Sequence, residues 1–167
     1  MRFAIKTRPE HQTWEELRDA WIAADEIPLF ESAWNWDHFY PLTEARCEPK
    51  PVQQPHPPVT IGGRGKKRTL RTVARWAQQW NAIAESPEQW LELKEVLTGH
   101  CAAIGRDVNE ITCSVNVRIE PEGNLQPLVA AAAAYREVGV DLIIVSLPLH
   151  PNPDSLKPLA EALGPLA

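Results

Sequence analysis

Two short stretches of this chain hold residues whose types and spacing could do chemistry. Trp34-Asn35-Trp36-Asp37-His38-Phe39 places a carboxylate beside an imidazole, a pair that can accept, hold and deliver a proton near neutral pH. Gly62-Gly63-Arg64-Gly65 sits where a strand turns into a helix. Glycines there let a ligand approach the backbone closely, and the N–H groups of a helix start favour an anion. Arg64, Lys66, Lys67 and Arg68 add positive charge to the same turn. The pattern is neither a Walker A loop nor a dinucleotide fingerprint, and its plain alternative is a tight turn with a solvated basic rim. Neither stretch identifies a reaction alone, because a histidine at a strand end is more often structural than catalytic.

The elements that must position these residues alternate. Phe3–Thr7 reads as a strand. Thr13 to about Glu26 reads as an amphipathic helix, with Thr13 and Glu16 spaced as a capping box and Trp14, Leu17, Trp21 and Ala24 at helical intervals. Residues 30–36 form a second strand, with Trp34 and Trp36 on one side, so Asp37 and His38 fall at its carboxyl end. Parallel α/β proteins bind ligands at such ends. Pro41, Pro49, Pro51, Pro55, Pro57 and Pro58 then exclude helix and central strand alike, leaving an extended connector.

Beyond the connector, Val59–Ile61 is a strand running into the glycine turn. A helix from Lys66 or Thr69 to Gln79 follows, with Leu70, Val73, Ala74 and Ala77 on one face, and then a very short strand at Trp80-Asn81. Ser86-Pro87 starts a helix whose stripe is Trp90, Leu93, Leu97, Cys101 and Ile104, with Gly105 as its cap. Residues 111–119 alternate as a strand, 127–138 form a helix stopped by Gly139, 142–145 form an apolar strand, and 154–163 form a closing helix. This order predicts a single α/β domain with about six parallel strands. Its parts are a β-α-β unit over 1–42, the connector over 43–58, and further β/α units over 59–167. Trp14, Trp21, Trp76 and Trp90 sit at helical positions and are expected in the core.

Composition narrows the function further. A net charge of −5 argues against a general nucleic-acid or anionic-membrane binder. Cys47, Cys101 and Cys113 form no CxxC pair and read as free thiols. His11, His56, His100 and His150 lie at no metal-ligand spacing, so no metal site is expected. No signal sequence or membrane-length apolar run is evident, and the expected setting is the cytoplasm.

Three segments together resemble the luciferase-like monooxygenase family, in particular its branch using the deazaflavin coenzyme F420. They are Thr13–Leu17 through Ser32–Leu42, then Ala45–Gln53 through Pro57–Gly63 to Lys67–Arg71 and Trp80-Asn81, and finally Gly105-Arg106-Asp107 with Glu110-Ile111 and the closing helix-strand pair. The resemblance implies a (β/α)8, TIM-barrel-like fold and an oxidoreductase using F420, or alternatively FMN, for hydride transfer or monooxygenation. It also implies that Asp37 and His38 face the ring beside Trp36, with His38 moving a proton. Gly62, Gly63, Arg64 and Gly65 would hold the phosphate-bearing tail. The family's third and fourth strands have no counterpart, and 167 residues fall short of the roughly 250 a closed barrel needs. The expectation is therefore a truncated barrel, completed or covered in a homodimer, with exchange of the halves across the connector as one route. Three functions stay open: the cofactor-binding oxidoreductase, a catalytically inactive truncated barrel serving as a binding or structural protein, and a small-anion binder using the glycine turn.

Overall fold

The computed structural model describes residues 1–7, 12–34, 58–119, 124–148, 150 and 152–167. Among the described residues, six strands alternate with five α-helices: β1 (Arg2–Lys6), α1 (Trp14–Asp25), β2 (Phe30–Trp34), β3 (Thr60–Gly62), α2 (Thr69–Trp76), β4 (Gln79–Ala82), α3 (Pro87–Ala102), β5 (Thr112–Arg118), α4 (Gln126–Glu137), β6 (Leu142–Ser146) and α5 (Leu156–Leu163). Every strand pair is parallel, in the order β2-β1-β6-β5-β4-β3.

That order explains the architecture. In a closed (β/α) barrel, neighbouring strands follow chain order and the last strand returns to pair with the first. Here β6 pairs with β1, and the sequence neighbours β1–β2, β3–β4, β4–β5 and β5–β6 all pair as well. Among the described residues, the circle is interrupted once, between β2 and β3. The fold is a curled, truncated barrel of six parallel strands, opened between the strands that the proline-rich stretch joins in sequence.

One side of the sheet carries the main core. Strand side chains alternate, so Phe3 and Ile5, Trp80 and Ala82, Cys113 and Val115, and Ile143 and Val145 all face the helices. Against them pack Ala24 of α1, Leu70 and Val73 of α2, Leu93 and Leu97 of α3, Ala132 of α4 and Leu159 of α5. Trp80 stacks on Trp90 with ring centroids 6.5 Å apart. The opposite set, Ala4, Leu142 and Ile144, forms a separate buried cluster with Trp34 packed on it.

Local chemistry sets the helix ends. Thr13 accepts from the Glu16 N–H, and the Glu16 carboxylate accepts from the Thr13 N–H at 2.7 Å, closing the expected capping box. Ser86 caps α3, with Pro87 at its first position. Arg106 donates to the carbonyls of Ala74 (2.9 Å) and Ala77 (2.7 Å), satisfying the end of α2, which lacks a further turn.

Several expectations need correction. Trp14 and Trp76 are each 59% exposed and do not belong to the core, and Ile104 is 55% exposed. Ile104 lies beyond the end of α3, where the chain turns through Gly105 (φ +70°), so the helical stripe no longer applies to it. α2 stops at Trp76 because Ala77 is already extended. Ala77 stays buried, and Gln79, expected as the last helical residue, instead begins β4. The connector and Cys47 lie outside the described residues. Cys101 and Cys113 are free and buried.

Candidate functional site

The glycine turn leaves β3 at the carboxyl end of the sheet and enters α2. Its glycines answer two different constraints. Gly63 has φ +127°, and a side chain there would meet Thr69 Cγ2 at 3.0 Å; one at Gly65 would meet Thr69 Oγ1 at 2.7 Å. Both positions are therefore demanded by packing against Thr69. Gly62 differs, because a Cβ there would touch only the Asn81 carbonyl at 3.9 Å. Among the described residues, it is the one glycine of the three at which a Cβ would make only ordinary van der Waals contact.

The turn's polar groups are partly committed. Gly63 N–H donates to the Asn81 carbonyl at 3.1 Å, and the Gly63 carbonyl accepts from Trp80 Nε1 at 2.9 Å. Arg64 pairs with Glu85 at 2.8 Å and Lys66 with Glu92 at 3.6 Å. These pairs are exposed, so each is worth little and an incoming anion could displace it. Arg68 gives α2 no side-chain cap. The backbone N–H groups of Arg64 and Gly65, in the exposed turn that precedes α2, bond no acceptor among the described residues.

A second set of polar residues lies on the face of the sheet away from the helices. Gln79 and Asn81 of β4 and Ser114 and Asn116 of β5 alternate with the core-facing Trp80, Ala82, Cys113 and Val115. Ser114 Oγ is fully buried and accepts from Gln79 Nε2 (3.0 Å) and Asn81 Nδ2 (3.1 Å); Asn116 Nδ2 donates to Asn81 Oδ1 at 2.7 Å. At the carboxyl end of the same face, the register aligns Trp34, Lys6, Ser146 and Arg118 across β2, β1, β6 and β5. The sequence reading does not single out this amide ladder. The signal was the alternation of Ser114, Asn116 and Arg118 with apolar neighbours, which marks a polar face opposite a core.

Trp36, Asp37 and His38 lie outside the described residues, as do His11 and His56. Trp34 ends β2 three residues before Asp37. His100, expected to be structural, bonds through Nε2 to the Lys66 carbonyl at 2.8 Å and so ties α3 to the turn before α2. On the outer surface, Lys67, Arg71, Arg75 and His100 line a groove with Ile104. Among the described residues, no group of His, Cys, Asp or Glu side chains is placed to hold a metal, and no helix is long and apolar enough to cross a membrane.

No family model matches the chain, and no curated protein matches it by sequence. Among solved structures, the coenzyme F420 dependent tetrahydromethanopterin reductase from Methanopyrus kandleri is similar over 64% of this chain, at 14% identity and a TM-score of 0.48. The match spans 49% of that protein, about half its length.

Proposed function

We propose that this chain is an oxidoreductase-like protein of the luciferase-like type that binds F420, with FMN as the alternative, at the carboxyl ends of its strands. The observation that carries the reading is the strand order. β2, which leads into Trp36, Asp37 and His38, and β3, which leads into the glycine turn, form the two lips of one opening. A cofactor with a ring and a phosphate-bearing tail needs two such regions at one mouth. The three segments resembling the family supply residues of suitable chemistry at both.

At the turn, Arg64 and Lys66 supply positive charge for a phosphate, and the exposed N–H groups of Arg64 and Gly65 are available as donors to it. Asp37 would orient His38, and His38 would hold and release a proton next to the ring. Bound reduced F420 supplies a hydride, and reduced FMN supplies a hydride or activates oxygen. A homodimer completes the proposal: the outer edges of β2 and β3 lack strand partners among the described residues, and unpaired edges invite association.

The test is a titration with F420 and with FMN, followed by quenching of tryptophan fluorescence, with sedimentation measured on the same samples. Saturable binding, weakened by His38→Ala and removed by Gly62→Asp, supports the reading. Absence of saturation with either cofactor sinks it and favours the inactive structural or binding protein. A strictly monomeric sample at micromolar concentration removes the dimer.

A further inference from the structure

The groove on the outer surface gathers three cations and no counter-charge. Lys67, Arg71 and Arg75 line it with His100, Ala103 and Ile104, and it encloses about 700 Å3. Arg71 and Arg75 lie one helical turn apart on the exposed side of α2, about 6 Å along its axis. Lys67 stands in the turn just before that helix. None of the three pairs with a carboxylate among the described residues. Arg64, Lys66 and Arg106 differ, because each holds one: Glu85, Glu92 and Glu110 in turn. Like charges one turn apart repel and weaken a helix, so Arg71 and Arg75 mark a place where negative charge belongs.

The sequence concentrates this charge. Residues 49–84 contain seven cations and no carboxylate in a chain of net charge −5, so the remainder carries −12. Two contacts hold the walls of the groove before any ligand arrives. His100 Nε2 donates to the Lys66 carbonyl at 2.8 Å, which fixes the end of α3 against the turn that carries Lys67. The Arg75 guanidinium carbon lies 5.2 Å from the centroid of the Trp76 ring. That contact orients the cation without neutralising it.

We propose that this groove binds a small ligand bearing a di- or triphosphate group. Its volume lies within the roughly 300–1,000 Å3 of small-ligand sites. Two guanidinium forks and an ammonium offer donors from several directions, which suits the many oxygens of a phosphate chain. A carboxylate is used up by a single fork. A long polyanion is disfavoured, because the remaining −12 of the chain repels it beyond the groove. The phosphates sit between Arg71 and Arg75 with Lys67 at one end, and Ala103 and Ile104 give an apolar margin for the rest of the ligand. The inference is independent of the cofactor reading, because neither Asp37-His38 nor Gly62–Gly65 takes part.

The experiment is a titration of the full chain at low ionic strength, followed by 1H–15N spectra. The probes are inorganic tripolyphosphate, orthophosphate, citrate and a single-stranded oligothymidylate. Tripolyphosphate should shift the Nε–H signals of Arg71 and Arg75 and the Trp76 indole saturably, with a Kd on the order of 0.1 mM. It should bind about tenfold more tightly than orthophosphate or citrate, and more tightly than the oligothymidylate. Arg71→Gln, a change at an exposed position, should weaken it about tenfold. Arg68→Gln, exposed but outside the groove's lining, should weaken it less than about threefold. The proposal is overturned if tripolyphosphate fails to saturate at about 10 mM, if citrate or the oligothymidylate binds as tightly, or if Arg71→Gln leaves the affinity unchanged. Shifts that fall on Gly62–Gly65 instead would also overturn it, by assigning the phosphates to the glycine turn.

Discussion

The two faces of the sheet come from the same six strands and are built to opposite rules. Toward the helices, every strand from β1 to β6 contributes to one continuous apolar cluster that includes Trp80 and Trp90. On the other face, β6 and β1 present Leu142, Ile144 and Ala4, while β4 and β5 present Gln79, Asn81, Ser114 and Asn116. A face needed only for packing has no reason to carry four linked polar side chains, because each must be satisfied or costs free energy. The difference teaches that apolar packing is concentrated on the helix side, and that the opposite side of β4 and β5 is held by a linked network of polar side chains.

Substitutions can break that comparison, and the largest effect belongs on the helix side. Trp80→Ala removes the stack on Trp90 and the bond to the Gly63 carbonyl, and should cost about 3–5 kcal/mol in denaturant unfolding. A loss below about 1 kcal/mol would mean that this face does not dominate stability. On the other face, Ser114→Ala strands two donors and the Trp80 carbonyl, and should cost about 1–3 kcal/mol.

The glycine turn sharpens the comparison at finer scale. Gly65→Ala drives a methyl group into Thr69 and should destabilise by about 1–3 kcal/mol, partly rescued by Thr69→Ala. Gly62→Ala meets only the Asn81 carbonyl, at 3.9 Å among the described residues, and should change stability by less than about 1 kcal/mol. Equal effects at the two positions would remove the distinction between the crowded glycines and Gly62.

Another small effect belongs to the start of α1. Thr13→Ala breaks the capping box and should cost about 1 kcal/mol. The Thr13 N–H, and after it His150 at 3.0 Å, hold the Glu16 carboxyl below the usual carboxylate range. A lowered folded-state pKa gives stability that is present above the unfolded carboxylate's pKa and lost as the pH falls through the folded value. Unfolding at neutral and at acid pH should therefore show Glu16→Gln destabilised only at neutral pH. The same loss at both would contradict this origin.

Much of the fold was legible because its signals are local. Thr13 with Glu16, Ser86 with Pro87, and Gly139 (φ +86°) after α4 each act within a few residues of themselves. The opening between β2 and β3 followed from the order of recognisable segments. Exposure was less legible: helical spacing gives the direction of an apolar stripe but not its width, and so Trp14 and Trp76 were misplaced. The ladder was hidden for another reason. β4 spans only Gln79–Ala82, too few residues to display a period of two, and linking Asn81 to Ser114 requires the register between β4 and β5. Trp36, Asp37 and His38 lie outside the described residues, so their part in the site stands on sequence alone.

The measurement that tests the division of faces most directly is a 1H–15N spectrum of the chain recorded during titration with F420. The account predicts that the backbone signals of Gly62 to Gly65 and the side-chain amide of Asn81 shift together and saturate, while the Trp90 indole stays in place. Shifts confined to Lys67, Arg71 and Arg75 in the outer groove, or no shift at all, would contradict it.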